Sequence, residues 1–525
     1  MKKIIFIFIF ASLLTGCSKS FLDRGPKDAL SPLTFWKTKK DADLALTGIY
    51  SGFEGGYNIL YKDCGSDNSY NNFPWEGWRP IGDGTVSPSN PGNSYFDYST
   101  IIRCNEFLES AKNIPINNLN EYLAQVRFIR AYQYYTLTTN YGDVPLVTEV
   151  FPSPEASKVP RDPKEKVQSF IETELKAIIP LLPASYSSAE FGKATKGAAQ
   201  ALLARFYLYY GKYAEALATA KSITGYSLFP SYEGLFNIEN EQNPEIILSV
   251  QYTPDLYSMD FTPFLPNSVG GWSSVVPTQS LVDTYEMADG STITEAAALG
   301  NYNASNPYVN RDPRLRATVI YPGALFFGGN TYASIVAGNE DYYNKADNAS
   351  KTGYNYRKYM ASFDDNTPYW NMGSDIYIFR YAEVLLTIAE AKTELGQIDD
   401  ELYNAIDAVR QRAGMPKTDR VKYNNQAKIR ELVRRERRVE FAGEGLRRDD
   451  IIRWKLASSV MNGQLTGVKK GTVLGTTYGN GDYNVNLNLN GNVIENRTFA
   501  EKNQLLPIPQ SAMDKNPKLT QNAGY

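Results

Sequence analysis

The sequence predicts a mostly α-helical protein in which tetratricopeptide-like helix pairs form a scaffold, interrupted by long irregular loops and a few short strands. Two stretches, 196–223 and 378–412, each contain a predicted helix, a glycine and a second predicted helix. The segments between helical stretches are rich in Gly, Asn, Pro and aromatic residues, which is typical of irregular loops. Hydrophobic residues make up 42% of the chain and charged residues 21%, so we expect a substantial core.

The N-terminus has the pattern of a bacterial export signal. Two lysines precede an apolar run over 4–14, which is too short to cross a bilayer as a helix and fits the apolar region of a secretory signal. The residues that follow, Leu-Thr-Gly-Cys, resemble the lipobox, and this resemblance implies lipid attachment at Cys17. We therefore expect a signal peptide over 1–16 and a lipidated tether and entry segment over 17–40.

An N-terminal helical half is expected over 41–225, with a candidate binding loop over 55–98 that is rich in Gly, Asn, Asp, Ser, Pro and aromatic residues. Apolar residues spaced as on one helix face, together with glycines at helix ends, define its helices. The helices are predicted over 41–50, 121–139, 196–210 and 213–223.

A C-terminal half with loop insertions is expected over 226–525. Its helices are predicted at 378–395 and about 401–412, separated by Gly396. Aligning Gly211 with Gly396 places small residues at matching positions, which resembles tetratricopeptide repeats, although a generic antiparallel helix hairpin is an alternative. Irregular stretches are predicted at about 226–375 and 460–500, and within them strands are predicted at Ile246–Val250 and, from alternating apolar and polar residues, at Tyr483–Leu489.

The chain contains no histidine, which excludes Ser-His-Asp and Cys-His triads and the usual histidine-bearing zinc sites. Only Cys64 and Cys104 remain besides Cys17, too few for an all-cysteine zinc site. The sequence therefore predicts no catalytic residue, no cofactor and no metal. Two alternatives stay open: a carboxylate pair among 57 acidic residues could hydrolyse a glycosidic bond, and Cys64 and Cys104 could form a disulfide or remain two thiols.

The charge and the aromatic content favour a neutral polar ligand. A net charge of −3 offers no large basic field, which argues against nucleic acid as a partner. Sugars bind to aromatic faces and to a few placed polar groups, and four of the six tryptophans lie in irregular, polar segments. The other two, Trp36 and Trp454, lie in helical segments and are predicted to pack. The candidate ligand-binding residues are Asp67, Asn72, Trp75, Trp78, Trp272 and Trp370.

Several segments, in this order and behind the lipobox, resemble the SusD/RagB family of outer-membrane nutrient-binding lipoproteins, and the resemblance covers nearly the whole mature chain. They include RFIRAYQYYTLTTNYGDVPLV at 127–147, FRYAEVLLTIAEA at 379–391, ERRVEFAGEGLRRDDIIRW at 436–454 and LLPIPQSAMDKNPKLTQNAGY at 505–525. We interpret the charges of the third segment, at 436–440, as a solvated or internally paired helix face.

This resemblance implies a protein anchored in the outer membrane, facing the exterior, that acts as a lid over a TonB-dependent transporter of the SusC type. It implies an oligosaccharide ligand, with peptide as the ligand of some members, and no enzymatic activity. It also implies that aromatic residues near Trp75 and Trp78 line the binding platform. The alternative is a structural lid or adaptor of the transporter that binds little glycan itself.

Overall fold

A computed structural model describes residues 35–345 and 348–525, so the signal peptide, Cys17 and most of the predicted tether lie outside the described residues. Within these ranges no helix is both long and apolar enough to cross a bilayer. The helices are α1 Lys39–Tyr50, α2 Gly56–Lys62, α3 Arg79–Asp83, α4 Ser99–Ser110, α5 Leu119–Tyr141, α6 Lys164–Ile178, α7 Lys196–Tyr209, α8 Tyr213–Lys221, α9 Gln279–Thr284, α10 Ile293–Ala298, α11 Pro313–Thr318, α12 Tyr381–Glu394, α13 Asp400–Arg412, α14 Gln426–Glu440, α15 Arg447–Arg453, α16 Ala457–Val460 and α17 Gln510–Lys515. The strands are β1 Ser69–Asn71, β2 Ile246–Val250, β3 Val275–Pro277, β4 Val319–Ile320, β5 Leu325–Phe326, β6 Asn330–Thr331, β7 Asn355–Tyr356, β8 Ile376–Arg380, β9 Gly463–Tyr478 and β10 Asp482–Arg497.

The two predicted helix–glycine–helix units are present and end their first helices in the same way. Gly211 and Gly396 have φ of +70° and +69°, a conformation that glycine adopts without strain. The N–H of Lys212 donates to the carbonyl of Tyr207, and the N–H of Gln397 donates to the carbonyl of Lys392, both at 2.9 Å. In each unit the donor residue directly follows the glycine, and the acceptor residue lies four positions before the glycine, as in a Schellman cap. The mostly α, tetratricopeptide-like prediction is therefore confirmed.

The helices form one continuous stack. Each neighbouring pair in the series α4, α5, α6, α7, α8 and α12 is in contact, and α12 in turn packs on α13 and α14. The contact between α8 and α12 joins the predicted N-terminal and C-terminal halves. The largest hydrophobic core runs from Ala42 to Leu519, so the two halves share one core.

Short strands anchor the long insertion between α8 and α12. Strand β2 pairs antiparallel with β8, so the chain leaves and re-enters the helical stack at one place. Within the insertion, β3 pairs antiparallel with β1, bringing Val275 opposite Asn71. The insertion therefore lies beside the 69–78 segment of the N-terminal half.

Two segments predicted to be irregular contain regular structure. The 55–98 segment includes α2, β1 and α3, because apolar residues of α2 such as Ile59 and Leu60 are buried against the core. The 460–500 segment is largely the antiparallel hairpin of β9 and β10. The strand predicted from Tyr483 to Leu489 lies inside β10, where Val485 and Leu487 are buried and Asn486 is exposed.

The charged face of α14 is internally paired, one of the two predicted arrangements. Glu440 is fully buried and accepts hydrogen bonds from Arg314, Arg380 and Arg412. Burial alone would raise the pKa of Glu440, but these guanidinium groups outweigh burial and lower the pKa to about 2. This buried ion network joins α14 to the N-terminal end of α12, to α11 and to the end of α13.

The open question about the cysteines is answered by their burial as free thiols. Neither Cys64 nor Cys104 is bonded to another cysteine, and both side chains are at most 1% exposed. Burial raises the pKa of the Cys104 thiol to about 12 and that of Cys64 well above its ordinary value. Both cysteines therefore serve as small apolar core residues.

Candidate functional site

The segment 255–274 of the insertion is the common neighbour of three exposed tryptophans. Its C-terminal end leads into β3, and beside it the N–H of Asn72 donates to the carbonyl of Ser274 at 2.8 Å. This pairing holds the turn that carries Trp75 next to the turn that carries Trp272. The third tryptophan, Trp370, reaches the same segment from the stretch before β8.

Trp75 is the most exposed tryptophan, with 77% of its surface accessible. Pro74 begins a short 3-10 helical turn, and Gly77, with φ of +82°, ends it. The indole of Trp75 therefore projects from a tight turn of the backbone. The indole stacks on Phe73 at a centroid distance of 4.9 Å, which stiffens it. Glu76 points inward and accepts a hydrogen bond from the Ser274 hydroxyl at 2.7 Å.

Trp272 is 44% exposed and follows two glycines. A Cβ on Gly271 would lie 2.2 Å from the carbonyl oxygen of Leu265, so only glycine fits this close approach. The N–H of Trp272 donates to the carbonyl of Thr262 at 2.9 Å. The backbone below this indole is therefore fixed by packing and hydrogen bonding.

Trp370 is 60% exposed, and its neighbours bind the same segment. The Tyr369 hydroxyl donates to the carbonyl of Val269 at 2.9 Å, and the N–H of Phe261 donates to the carbonyl of Tyr369 at 2.8 Å. The side chain of Asn371 donates to the Asp255 carboxylate at 2.7 Å. These bonds place Trp370 along the same stretch that supports Trp272.

Two further exposed aromatic residues, missed in the sequence, adjoin the same stretch. Tyr57 is 37% exposed and donates its hydroxyl proton to the carbonyl of Asp260 at 2.8 Å. Tyr257 is 50% exposed and stacks on Tyr252 with an angle of 4° between the rings. In the sequence, Tyr257 follows Pro254, Asp255 and Leu256. A Pro-Asp pair indicates a turn, so this position could have suggested an exposed ring.

We call Tyr57, Trp75, Tyr257, Trp272 and Trp370 the aromatic surface. Among the described residues, the three indoles make no ring contact with one another. Separate rings on one supporting segment can each stack on a different part of an extended ligand.

The prediction that Trp78 lines the binding platform is wrong. Trp78 is only 3% exposed, and its ring packs between Tyr61 and Tyr95 at centroid distances of 6.4 and 6.0 Å. It is the residue before α3, whose Ile81 belongs to the same core. A ligand on the surface cannot reach this indole without opening the core.

The two polar candidates near Trp75 are also structural. Asp67 is 7% exposed and forms ion pairs with Arg438 and Arg447 at 3.0 and 2.7 Å. Burial alone would raise the pKa of Asp67, but the two guanidinium groups outweigh it and lower the pKa to about 2. Asn72 is 5% exposed and donates its side-chain N–H to the carbonyl of Ala349 at 3.1 Å. Both predictions of ligand contact are therefore corrected.

Trp454, predicted to pack, is 8% exposed, and its indole N–H donates to Glu390 at 2.6 Å. Trp36, also predicted to pack, is partly buried with its ring edge against Phe107 at 5.3 Å. Among the described residues, no group of His, Cys, Asp and Glu is arranged to hold a metal ion.

A pair of carboxyl groups lies behind the aromatic surface. Asp375 accepts hydrogen bonds from the Ser249 hydroxyl at 2.8 Å and from the N–H of Tyr252, the residue on which Tyr257 stacks. The N–H of Asp375 donates to Glu241 at 2.6 Å. Burial, and then the charge of Asp375, raises the pKa of Glu241 to about 7, and burial raises the pKa of Asp375 to about 6.

This arrangement predicts that Glu241→Gln stabilises the protein at pH 8 and changes little at pH 5. A raised pKa makes the folded state bind the proton more tightly, so stability is full below about pH 4.5 and falls as pH rises through about 7. Because Glu241 is partly exposed, the gain at pH 8 should be on the order of 1 kcal/mol. Urea unfolding of both proteins at the two pH values measures it, and equal stability at pH 8 would contradict the assignment.

Comparison with known proteins identifies the family. The model of the SusD family matches residues 236–525, more than half of the chain. The chain belongs to the SusD/RagB family. A second model, described as starch-binding and associating with the outer membrane, matches residues 20–208. The expectation drawn from the sequence motifs is thus confirmed.

Relatives of this SusD family member are similar over most of their length. SusD-like protein P25 of Formosa agariphila is 26% identical over 504 residues, covering 87% of this chain and 91% of the relative. Starch-binding protein SusD of Bacteroides thetaiotaomicron is 24% identical over 460 residues, covering 81% and 76%. A crystal structure of a SusD-like carbohydrate-binding protein from Bacteroides fragilis superposes with a TM-score of 0.80 at 29% identity, covering 93% of this chain and all of that one.

Proposed function

We propose that this protein binds an oligosaccharide on the aromatic surface and passes it to a TonB-dependent transporter of the SusC type in the outer membrane. The observation that carries the proposal is a set of three exposed indoles: Trp272 lies within the 255–274 segment, and residues next to Trp75 and Trp370 are hydrogen-bonded to that segment. Exposed aromatic residues gathered along one supporting segment favour a binding surface, whereas single scattered ones would need no such explanation.

The choice of a glycan rests on chemistry and on the relatives. Aromatic faces bind the CH surfaces of sugar rings, and rings held rigidly lose little conformational entropy on binding. Starch binding and carbohydrate binding are the properties stated for two of the relatives, and both support a glycan ligand for this chain. We propose binding without turnover, because these two relatives are described as binding proteins and the lack of histidine excludes histidine-based triads; hydrolysis by a carboxylate pair is the alternative.

A glycan array probed with the mature protein tests this function. We expect binding to a restricted set of neutral oligosaccharides, with no release of reducing ends from the bound glycans. If the protein retains a transporter in a membrane pull-down but binds no glycan, the alternative function, a structural lid or adaptor of the transporter, is supported instead. Binding to peptides alone would transfer it to peptide uptake.

The proposed membrane attachment is through lipid on Cys17, at the outer membrane and facing the exterior. The motivation is the lipobox register, and a lipid anchor adds about 0.8 kcal/mol of membrane affinity per buried CH2 group. Cys17→Ala should move the protein from the membrane fraction to the soluble fraction, or leave the precursor uncleaved. Metabolic labelling with a radioactive fatty acid provides the check, since a label still present in Cys17→Ala would exclude this attachment site.

A further inference from the structure

A cavity of about 310 Å3 adjoins the aromatic surface at Tyr257. We call it the side cleft. It lies between the residues after α1, the loop before α4 and the middle of α5. Its polar groups come mainly from Glu54, Asn58, Asp97 and Gln133.

The polar groups of the side cleft are held by neutral partners. The Glu54 carboxylate accepts a hydrogen bond from the Tyr132 hydroxyl at 2.8 Å and from the N–H of Gly55 at 3.0 Å. Gln133 directs its amide nitrogen to the carbonyl of Phe53 at 2.5 Å. Among the described residues nothing donates to the side-chain oxygen of Gln133, so this oxygen can accept from a ligand hydroxyl.

The charge of the side cleft selects against anions. Glu54 and Asp97 are its two charged residues, and within the described part of the chain no lysine or arginine lines it. A carboxylate or sulfate ligand would meet repulsion from both carboxylates. The hydroxyl groups of an uncharged sugar can instead donate hydrogen bonds to the carboxylate and amide oxygens of the side cleft, because these oxygens are acceptors.

The side cleft is continuous at one end with a space too small for a sugar residue. There it meets a smaller cavity of about 40 Å3 that shares Glu54, Asn58, Tyr95, Tyr132 and Thr136 with it. That volume is far below the about 300 Å3 at which small-molecule sites begin, so no further sugar residue fits there. The 310 Å3 of the side cleft lies near the lower end of small-molecule sites, which span about 300–1,000 Å3.

We propose that the side cleft binds one uncharged sugar residue, the end of a glycan chain whose other residues lie on the aromatic surface. Tyr257, which belongs to both, joins the two parts. The chain-end assignment rests on the proposed function, whereas binding of a single sugar by the side cleft does not. The protein would then select glycans by an uncharged terminal residue.

Single-sugar probes test the side cleft alone. The methyl β-glycosides of glucose, galactose and mannose are compared with methyl β-D-glucuronide by saturation-transfer NMR and titration on the mature protein. We expect at least one neutral glycoside to bind and the glucuronide to bind roughly tenfold more weakly or worse, because of the like charges. No binding by any neutral glycoside, or equal binding by the glucuronide, overturns the proposal.

A matched pair of variants locates the binding. Ser94 lines the side cleft, and its hydroxyl is 3.1 Å from that of Tyr141. Ser89 does not line it, and its hydroxyl is 3.2 Å from that of Ser87. Both serines are exposed. Ser94→Trp should block the cleft and weaken binding of the neutral glycoside by roughly tenfold or more, while Ser89→Trp leaves it unchanged. Equal binding by the two variants overturns the location.

Oligosaccharide titrations separate this proposal from the function proposed above. If oligosaccharides bind the aromatic surface but single glycosides do not bind, the side-cleft proposal fails and the general function stands. If single glycosides bind and are blocked by Ser94→Trp but oligosaccharides do not bind, the side cleft stands and the aromatic-surface function fails.

Discussion

Replacing Trp75 or Trp272 by alanine is expected to weaken oligosaccharide binding by roughly 5- to 150-fold, with the fold preserved. Truncating an aromatic anchor of a binding surface costs about 1–3 kcal/mol, and each 1.4 kcal/mol is tenfold in affinity. Both indoles project from the surface, so their loss opens no cavity in the core. Isothermal titration of each variant with the glycan found on the array gives the affinity, and thermal unfolding checks the fold.

Two control variants separate ligand contact from stability. Trp78→Ala removes a tryptophan from the same segment but from the core, so it should lower the free energy of unfolding by about 3–5 kcal/mol. Val421→Ala removes an apolar side chain that is 83% exposed and is not part of the aromatic surface. It should change neither the affinity for the glycan nor the free energy of unfolding. Normal folding and unchanged affinity in both Trp75→Ala and Trp272→Ala would remove the indoles from the site and leave Trp370 with Tyr369 as the next candidate.

A large loss of stability is also expected from Glu440→Ala. This change leaves Arg314, Arg380 and Arg412 without a shared carboxylate inside the core. Removing one partner of a buried ion pair costs about 3–5 kcal/mol, because the remaining charge cannot return to water. That is a large share of the about 5–15 kcal/mol that separates folded from unfolded proteins. Urea unfolding followed by circular dichroism is the measurement.

An exposed ion pair provides the comparison for Glu440. Glu109 pairs with Lys112 at 2.8 Å, and their side chains are 69% and 58% exposed. Glu109→Ala should therefore change stability by less than about 1 kcal/mol. If Glu440→Ala were no more destabilising than Glu109→Ala, the buried network would contribute little to the fold.

The same network predicts sensitivity to acid. The pKa of Glu440 is lowered to about 2 in the folded protein, so its contribution is full above the unfolded value of about 4.5. That contribution is lost as pH falls from about 4.5 through about 2. The change is opposite in sign to that of Glu241, whose contribution is lost as pH rises.

The helical scaffold could be predicted because helix signals are local. Periodic apolar residues and the glycines at 211 and 396 mark helices whose ends agree with the structure to within a few residues. The hairpin of β9 and β10 was only partly predicted, because its register depends on pairing between two polar strands rather than on composition. Which residues of β9 pair with which residues of β10 depends on both strands together and cannot be derived from the sequence of one strand.

The site was predicted in kind but not in detail for the same reason. Trp75 and Trp78 share one Pro- and Gly-containing segment, yet one is exposed and the other buried. Their difference follows from contacts with distant residues. Asn71 bonds to Ser274, which is 203 positions away, and Trp78, directly before α3, packs into the core. Tyr57 and Tyr257 were missed because many of the 38 tyrosines lie in loops, and exposure cannot be derived from composition.

Tryptophan oxidation with and without bound glycan tests the central claim most directly. Hydroxyl-radical footprinting, analysed by mass spectrometry, reports the reactivity of each indole separately in one sample. With saturating glycan, oxidation of Trp75, Trp272 and Trp370 should fall several-fold, while the buried Trp78 and Trp454 react slowly in both states. Glycan binding that leaves the oxidation of all three exposed tryptophans unchanged would contradict the assignment of the aromatic surface as the binding site.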